Sequence, residues 1–134
     1  MRSLFEVKTN LTYDANIFEH MKKTAQDILQ NAERAQYTQA VVLLSSNDNE
    51  YSAIIKNALS EEKADEAALL EALSAAEDTD VRCVLCMWGD LCIDIPSFAF
   101  RNMLRELNPK NDEALLFVMT KDEACVMKLS STMK

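Results

Sequence analysis

The residues of this sequence best able to bind a metal or act as nucleophiles are its four cysteines and its single histidine, His20. Cys83 and Cys86 form a C-x-x-C pair, a spacing found in metal and redox sites. They lie in the apolar, strand-like run "VRCVLCMW", in which residues three apart point to opposite faces of a sheet. Because this geometry prevents the two thiols from sharing a metal, we predict that they are small apolar core residues.

Acid–base chemistry is a second candidate, because Asp65 and Glu66 adjoin near the start of the helix-like segment "EEKADEAALLEAL". Successive helix residues diverge by about 100°, so neighbouring acids do not converge on one ligand. We therefore expect Glu66 to be an ordinary exposed helix acid. Arg101 is able to clamp an anion, but we expect it to make a structural hydrogen bond or an ion pair.

The stretch "PSFAFRNMLREL" combines a proline, a short polar residue and an amphipathic helix. Pro96 cannot lie inside that helix, whereas Ser97 is suited to cap it and Phe100 is expected to face the core. The sequence contains no G-x-G-x-x-G, P-loop, G-x-S-x-G or H-E-x-x-H motif. The common signatures of nucleotide-binding proteins, hydrolases and metalloproteases are therefore missing.

The elements that would position these residues follow from the hydrophobic pattern. Asp14 and Ser60 are predicted N-caps of two helices, and "SFAFRNMLREL" is the third helix. Five apolar runs have the length of strands: "QAVVLLSS", "YSAIIK", "DVRCVLCMW", "EALLFVMT" and "ACVMKLSS". The resulting order, helix, strand, strand, helix, strand, helix, strand, strand, predicts a three-layer α/β/α sandwich with a mixed five-stranded sheet.

Length and composition predict one globular domain over residues 1–134, with residues 1–13 as an arm or an extra strand. The formal charge of −8 repels phosphate backbones and anionic lipid surfaces, so we expect neither a nucleic acid polymer nor a membrane as partner. No apolar run approaches a membrane span, and the start "MRSLFEVKTN" lacks the apolar core of a secretory signal. We therefore expect a cytoplasmic protein.

The stretch "PSFAFRNMLREL" also resembles the second zinc motif of the cytidine deaminases, Pro-Cys-x-x-Cys-Arg-Gln-x-Leu, which begins the helix after that family's third strand. Three positions match the motif and a fourth is similar in type: Pro96, Arg101, Leu104 and Asn102. Ser97 and Phe100 occupy the two cysteine places. The resemblance extends over residues 15–131 and implies the cytidine deaminase fold.

The family's first motif, Cys-Ala-Glu or His-Ala-Glu, begins the preceding helix, where this sequence has Ala64, Asp65 and Glu66. The resemblance implies that Glu66 matches the proton-shuttling glutamate, here vestigial, and that Ala64, Ser97 and Phe100 occupy former metal-ligand positions. In zinc deaminases the metal activates the attacking water. Alanine and phenylalanine offer no donor atom, so we expect no zinc, no other cofactor and no zinc-dependent deamination.

The resemblance further implies a homo-oligomer, either a dimer or a tetramer, and a nucleoside-like small molecule as ligand. The family's ribose-binding positions would fall near Ile54 and Lys56, neither of which is the expected Asn or Glu.

Three functional hypotheses therefore stay open. The first is a non-catalytic protein of the cytidine deaminase superfamily that acts by binding or by assembly. The second is an enzyme of different, metal-independent chemistry in the same cleft, with Glu66 or Asp65 as base and Arg101 as anion clamp. The third is an α/β interaction module unrelated to deaminases, which would be the only hypothesis left if the sheet order or helix placement were unlike that of the deaminases.

Overall fold

The computed structural model describes residues 12–33, 35–120 and 123–133. Helix α1 spans Ala15–Gln30, α2 spans Ala64–Ala75 and α3 spans Phe98–Leu107, and two 3-10 helices span Pro109–Glu113 and Leu129–Met133. The strands are β1 Gln39–Ser45, β2 Glu50–Ile55, β3 Val81–Trp88, β4 Ile93–Asp94, β5 Leu115–Thr120 and β6 Glu123–Lys128. The predicted element order is confirmed, whereas the arm predicted at residues 1–13 lies outside the described residues except for its last two.

The strands form one mixed sheet in the order β2-β1-β3-β5-β6. β1 is antiparallel to β2 and β3, β3 is parallel to β5, and β5 is antiparallel to β6. The short β4 pairs with β3 beside Cys86 and Met87. The predicted mixed sheet is confirmed, and β4 is a sixth strand that the sequence analysis did not predict. A strand of two residues is too short to produce a recognisable alternation.

Both faces of the sheet are covered by helices, which confirms the three-layer sandwich. Helix α1 packs on one face, where its buried residues meet alternate residues of β1 and β3. Helices α2 and α3 pack on the opposite face together with the second 3-10 helix. Cys83 packs on the face covered by α1, and Cys86 packs on the face covered by α2 and α3. The prediction that the two thiols point to opposite faces is therefore confirmed.

The helix starts explain how the chain enters these layers. Asp14 caps α1 as predicted, because its Oδ1 accepts the backbone N–H groups of Asn16 at 2.8 Å and Ile17 at 3.4 Å. The prediction that Ser60 caps α2 is wrong. Ser60 Oγ accepts the N–H of Glu62 in a turn, and α2 begins at Ala64 after Lys63.

In the described residues, no helix is long and apolar enough to cross a membrane.

At one end of the sheet, the carboxylate of Asp78 ties the β1–β2 turn to the segment before β3. It accepts hydrogen bonds from Asn47 Nδ2 at 2.9 Å, Asn49 Nδ2 at 2.9 Å and Tyr51 OH at 2.8 Å. The bond from Asn49 is the main cause that lowers the pKa of Asp78 to about 2, with smaller contributions from Tyr51, Ser45 and Asn47 against the opposing effect of burial. Asp78 is therefore a structural carboxylate.

This pKa gives a prediction for the acid stability of the fold. Because the folded-state pKa lies below the ordinary value of 3.8, the Asp78 carboxylate stabilises the fold above about pH 4 and loses that effect as the pH falls towards 2. We expect Asp78→Asn to lower the Tm by about 5 °C at pH 6 and by much less near pH 2.5. Thermal unfolding followed by circular dichroism at both pH values measures this, with the exposed-site variant Asp27→Asn as control. An equal loss at both pH values would refute the assignment.

Candidate functional site

The candidate site lies at the other end of the sheet, where three strands and two helices meet. Gln39, the first residue of β1, pairs with Ile55 at the end of β2 and with Trp88 at the end of β3. The segments that leave β2 and β3 at this edge lead to the first residues of α2 and, through β4, of α3. The fold therefore gathers the two motif segments at one edge of the sheet.

An open cavity of about 660 Å³ lies at this edge. Its walls include the aromatic residues Tyr37 and Trp88, the exposed Leu59 and the carboxylates of Asp90 and Asp94. A hydrogen bond from the Ala58 N–H to the Tyr37 carbonyl at 2.9 Å holds two of the lining segments together. A cavity of this size lies within the range of roughly 300–1,000 Å³ that is typical of small-molecule sites.

A second cavity, of about 460 Å³, adjoins this region and shares Ala35 with the first. Its lining includes Ile54 and Lys56, the two residues that the sequence places near the ribose positions of the resembling family. These side chains thus lie on a concave surface, although neither can make the bonds expected of Asn or Glu.

The start of α2 contains a buried ion pair. Glu66 is 3% exposed, so the expectation of an ordinary exposed acid is wrong. Its Oε2 lies 3.5 Å from Nζ of Lys63, whose side chain is 15% exposed. Lys63 Nζ also donates a hydrogen bond to the Ala58 carbonyl at 2.9 Å. A carboxylate loses its hydration here, and the lysine supplies the compensating charge.

The other two residues of the first motif segment are arranged differently from Glu66. Ala64 is exposed at the first position of α2, whereas Asp65 is partly buried. Oδ2 of Asp65 accepts the backbone N–H of Lys56 at 3.0 Å and so anchors the end of β2 to the helix start. Asp65 and Glu66 therefore have separate partners, as the divergence of neighbouring helix residues requires.

The start of α3 is built from the second motif segment. Ser97 is the N-cap, and its Oγ accepts the Phe100 N–H at 3.2 Å. Phe100 is 1% exposed and packs in the core beneath α2 and α3. Arg101 donates hydrogen bonds from Nε to the Pro96 carbonyl at 3.0 Å and from Nη1 to the Thr132 carbonyl at 2.8 Å. The expected structural role of Arg101 agrees with these bonds.

The side chains at the three implied metal-ligand positions decide whether a metal ion could bind there. Ala64 and Phe100 carry no donor atom, and the Ser97 hydroxyl is engaged as a helix cap. Among the described residues, no three His, Cys, Asp or Glu side chains are grouped so that they could hold a metal ion. The residues at the three implied positions thus do not fit zinc. The resemblance also implies that these three positions lie around one former metal site, and that convergence stays a prediction.

Cys86, Lys63 and Asp94 also belong to this region. Burial raises the pKa of the Cys86 thiol, and the negative charges of Asp94 and Glu66 add to that increase. Cys86 is consequently a neutral thiol in the core. Lys63 and Asp94 are the residues that sequence reasoning missed. The i,i+3 spacing of Lys63 and Glu66 was a signal for the first, whereas β4 was too short to place Asp94.

Comparison with known proteins gives the fold a class. No family model matches this sequence, and no curated protein sequence matches it. Solved structures do match. They include cytidine deaminases from Mycobacterium leprae (19% identity, TM-score 0.60, covering 89% of this chain and 98% of that one) and Mycobacterium tuberculosis (13%, 0.60, 86% and 92%). The cytidine deaminase from Bacillus anthracis matches at 15% identity and a TM-score of 0.63, covering 87% of this chain and 86% of that one.

These structures share their architecture with this chain over nearly its whole length. The protein therefore has the cytidine deaminase fold, with a mixed α/β sandwich as predicted. The match removes the one outcome, a fold unlike that of the deaminases, that would have left only the interaction-module hypothesis. At such low identity the match identifies the fold and leaves the activity to the residues of the site.

Proposed function

We propose that this protein is a non-catalytic member of the cytidine deaminase superfamily that binds a nucleoside-like small molecule. The observation that carries the proposal is the cavity of about 660 Å³ at the sheet edge, which has Tyr37 and Trp88 in its walls. Flat aromatic side chains suit stacking with a base-like ring. Because nucleoside deaminases do chemistry with a metal-activated water, a protein that lacks such a centre keeps only the binding step.

Support for the loss of catalysis comes from the side chains at the implied catalytic positions. Ala64 and Phe100 cannot coordinate zinc, and Ser97 Oγ already accepts a backbone hydrogen bond. Glu66, at the place of the proton-shuttling glutamate, is buried against the ammonium group of Lys63. A carboxylate so engaged is poorly placed to pass protons to a ligand, so zinc and zinc-dependent deamination are absent in this proposal.

An enzyme with a metal-independent reaction is the second candidate, and the contacts of Asp65 and Arg101 disfavour it. Asp65 anchors the Lys56 N–H, and Arg101 donates to main-chain carbonyl groups. A general base has to reach a substrate proton, and an anion clamp has to direct its guanidinium donors at the ligand. These side chains instead hold the protein's own backbone.

Assembly is the other part of the proposal. Four large apolar side chains are exposed in the described residues: Tyr37, Leu59, Leu91 and Phe98. Tyr37 and Leu59 line the cavity, and Leu91 lies in the chain between the lining residues Asp90 and Cys92. Exposed apolar groups concentrated in one region favour an interface between proteins. We accordingly propose a homo-oligomer in the cytoplasm, and the formal charge of −8 disfavours nucleic acid polymers as partners.

Trp88 provides a direct test of ligand binding, because it is the only tryptophan of the chain and lines the cavity. We expect cytidine or another unphosphorylated nucleoside to change its fluorescence in a saturable manner. The matched control is Ala35→Trp in a Trp88→Phe background, which moves the fluorophore to a site that blocks the cavity and is expected to abolish the response. Isothermal titration calorimetry gives an independent affinity. If no nucleoside binds up to millimolar concentrations by either method, the proposed ligand class is wrong.

A further inference from the structure

The charge of the cavity wall restricts the class of ligand further than the size and shape of the cavity do. Asp90 and Asp94 both line the cavity, whereas no lysine, arginine or histidine occurs among the described residues that line it. Oδ1 of Asp90 accepts the Cys92 N–H at 3.0 Å, and Oδ1 of Asp94 accepts the Ile95 N–H at 2.8 Å. These bonds fix both carboxylates and leave Oδ2 of each able to accept a further bond.

Cys92 also lines the cavity, and its thiol lies close enough to both acids for their charges to affect its pKa. Partial burial raises the pKa of Cys92, and the charges of Asp90 and Asp94 raise it further. Both carboxylates therefore act on the same region of the wall. Arg101 interacts with Asp94 and offsets part of its charge, while its own donors point to carbonyl groups. Asp90 consequently supplies much of the negative potential.

The aromatic residues lie beside these acids in the same wall. Tyr37 and Trp88 offer π faces, which attract cations as well as stack on flat rings. Among the described residues that line the cavity, a phosphate group would meet two carboxylates and no cation, so this part of the wall disfavours anionic ligands. Aromatic faces next to carboxylates are, by contrast, favourable for an organic cation.

We propose that this cavity selects flat organic cations, and that its ligand is a positively charged nucleoside-like molecule. The nucleoside part rests on the proposed function, whereas the preference for positive charge rests on the wall itself. The expected order of affinity is cation, then neutral molecule, then anion. A cation–π contact together with the two carboxylates makes a preference of about tenfold for the cation over its neutral counterpart reasonable.

The test compares derivatives of one nucleoside that differ in charge. Trp88 fluorescence and calorimetry are used to titrate the full-length protein with 3-methylcytidine, which is cationic at neutral pH, with neutral cytidine and with anionic cytidine 5′-monophosphate. Phenyltrimethylammonium serves as a flat cation without a ribose. We expect 3-methylcytidine to bind about tenfold more tightly than cytidine, and the monophosphate to bind more weakly than both.

Variants of the two acids locate the preference. Asp90→Asn and Asp94→Asn are each expected to reduce the ratio of 3-methylcytidine to cytidine affinity several-fold, whereas Asp27→Asn on the exposed surface of α1 removes the same charge and leaves the ratio unchanged. A ratio that is the same in all three variants would overturn the assignment of the two carboxylates.

The outcomes separate this inference from the proposed function. If cytidine and 3-methylcytidine bind equally, the charge preference is overturned and nucleoside binding stands. If phenyltrimethylammonium binds but no nucleoside does, the cation site is supported and the nucleoside ligand is overturned. If none of the four compounds binds, both proposals are overturned.

Discussion

Replacing Lys63 by methionine is expected to lower the free energy of unfolding by about 3 kcal/mol at neutral pH. Methionine retains most of the apolar stem but removes the ammonium group that lies 3.5 Å from Glu66 Oε2. The variant leaves a carboxylate that is 3% exposed without its cation, and the Ala58 carbonyl loses a donor as well. Urea unfolding followed by circular dichroism measures the loss.

The chain offers a matched control for this prediction. Lys22 and Glu19 form another i,i+3 pair, at 3.6 Å, but on the exposed surface of α1. Lys22→Met should cost less than about 1 kcal/mol, because solvated ion pairs contribute little. In the Lys63→Met background, Glu66→Gln should recover part of the lost stability by removing the unpaired charge. If Lys63→Met costs no more than Lys22→Met, the pair does not carry the role assigned to it.

Asn111→Ala is the second variant with a large expected effect, about 3 kcal/mol or more of unfolding free energy and about 10 °C in Tm. Asn111 is fully buried in the first 3-10 helix. Its Oδ1 accepts the Val81 N–H at 2.7 Å, and its Nδ2 donates to the carbonyls of Thr79 at 3.0 Å and Leu104 at 2.8 Å. Alanine would leave the Val81 N–H without its acceptor and the Thr79 carbonyl without this donor. The Leu104 carbonyl would keep only the longer bond from the Asn108 N–H at 3.3 Å.

Two further variants separate these hydrogen bonds from general effects of substitution. Asn102→Ala removes an exposed asparagine of α3 that donates to Glu106 and should change stability by less than about 0.5 kcal/mol. Asn111→Asp retains the acceptor for Val81 but places carboxylate oxygen near two carbonyls, so it should be as destabilising as alanine. Calorimetric unfolding of the three variants decides the point. A stable Asn111→Asp protein would show that the donated bonds matter little.

The fold was largely predictable because its signals are local and periodic. The stripe of Phe18, Met21, Ala25 and Leu29 is buried in α1, and the apolar runs form strands covered on both faces. The cap at Asp14 was recognisable from residue type, whereas Ser60 had the same type and lies in a turn. A capping residue identifies a helix start only when the following backbone reaches it, and tertiary contacts decide that.

The candidate site was only partly predictable, because its character depends on burial that is set by distant segments. Glu66 has the type and spacing of an exposed acid, but the segment before α2 turns so that Lys63, which is itself bonded to the Ala58 carbonyl, pairs with it. Asp94 lines the cavity because β4, a strand of only two residues, pairs with β3. The i,i+3 spacing indicates that Lys63 and Glu66 can pair but not that the pair is buried, and periodicity does not place Asp94. Both outcomes depend on the path of irregular segments.

For the zinc-free protein that we propose, the buried pair gives a physical explanation of how this edge of the sheet is stable without a metal. A carboxylate enclosed at this edge requires a positive charge nearby, and the ammonium group of Lys63 provides one. The aromatic ring of Phe100 fills core volume below the two helices. In our proposal the edge of the sheet has become a binding surface whose stability no longer depends on an ion.

The most direct test of the central proposal is a combined measurement of zinc content and cytidine turnover. The protein would be purified without chelators, in parallel with the Mycobacterium tuberculosis cytidine deaminase as reference, analysed by plasma mass spectrometry and assayed for conversion of cytidine to uridine. We predict far less than one zinc per chain and no turnover above background. One zinc per chain together with deamination would contradict the account.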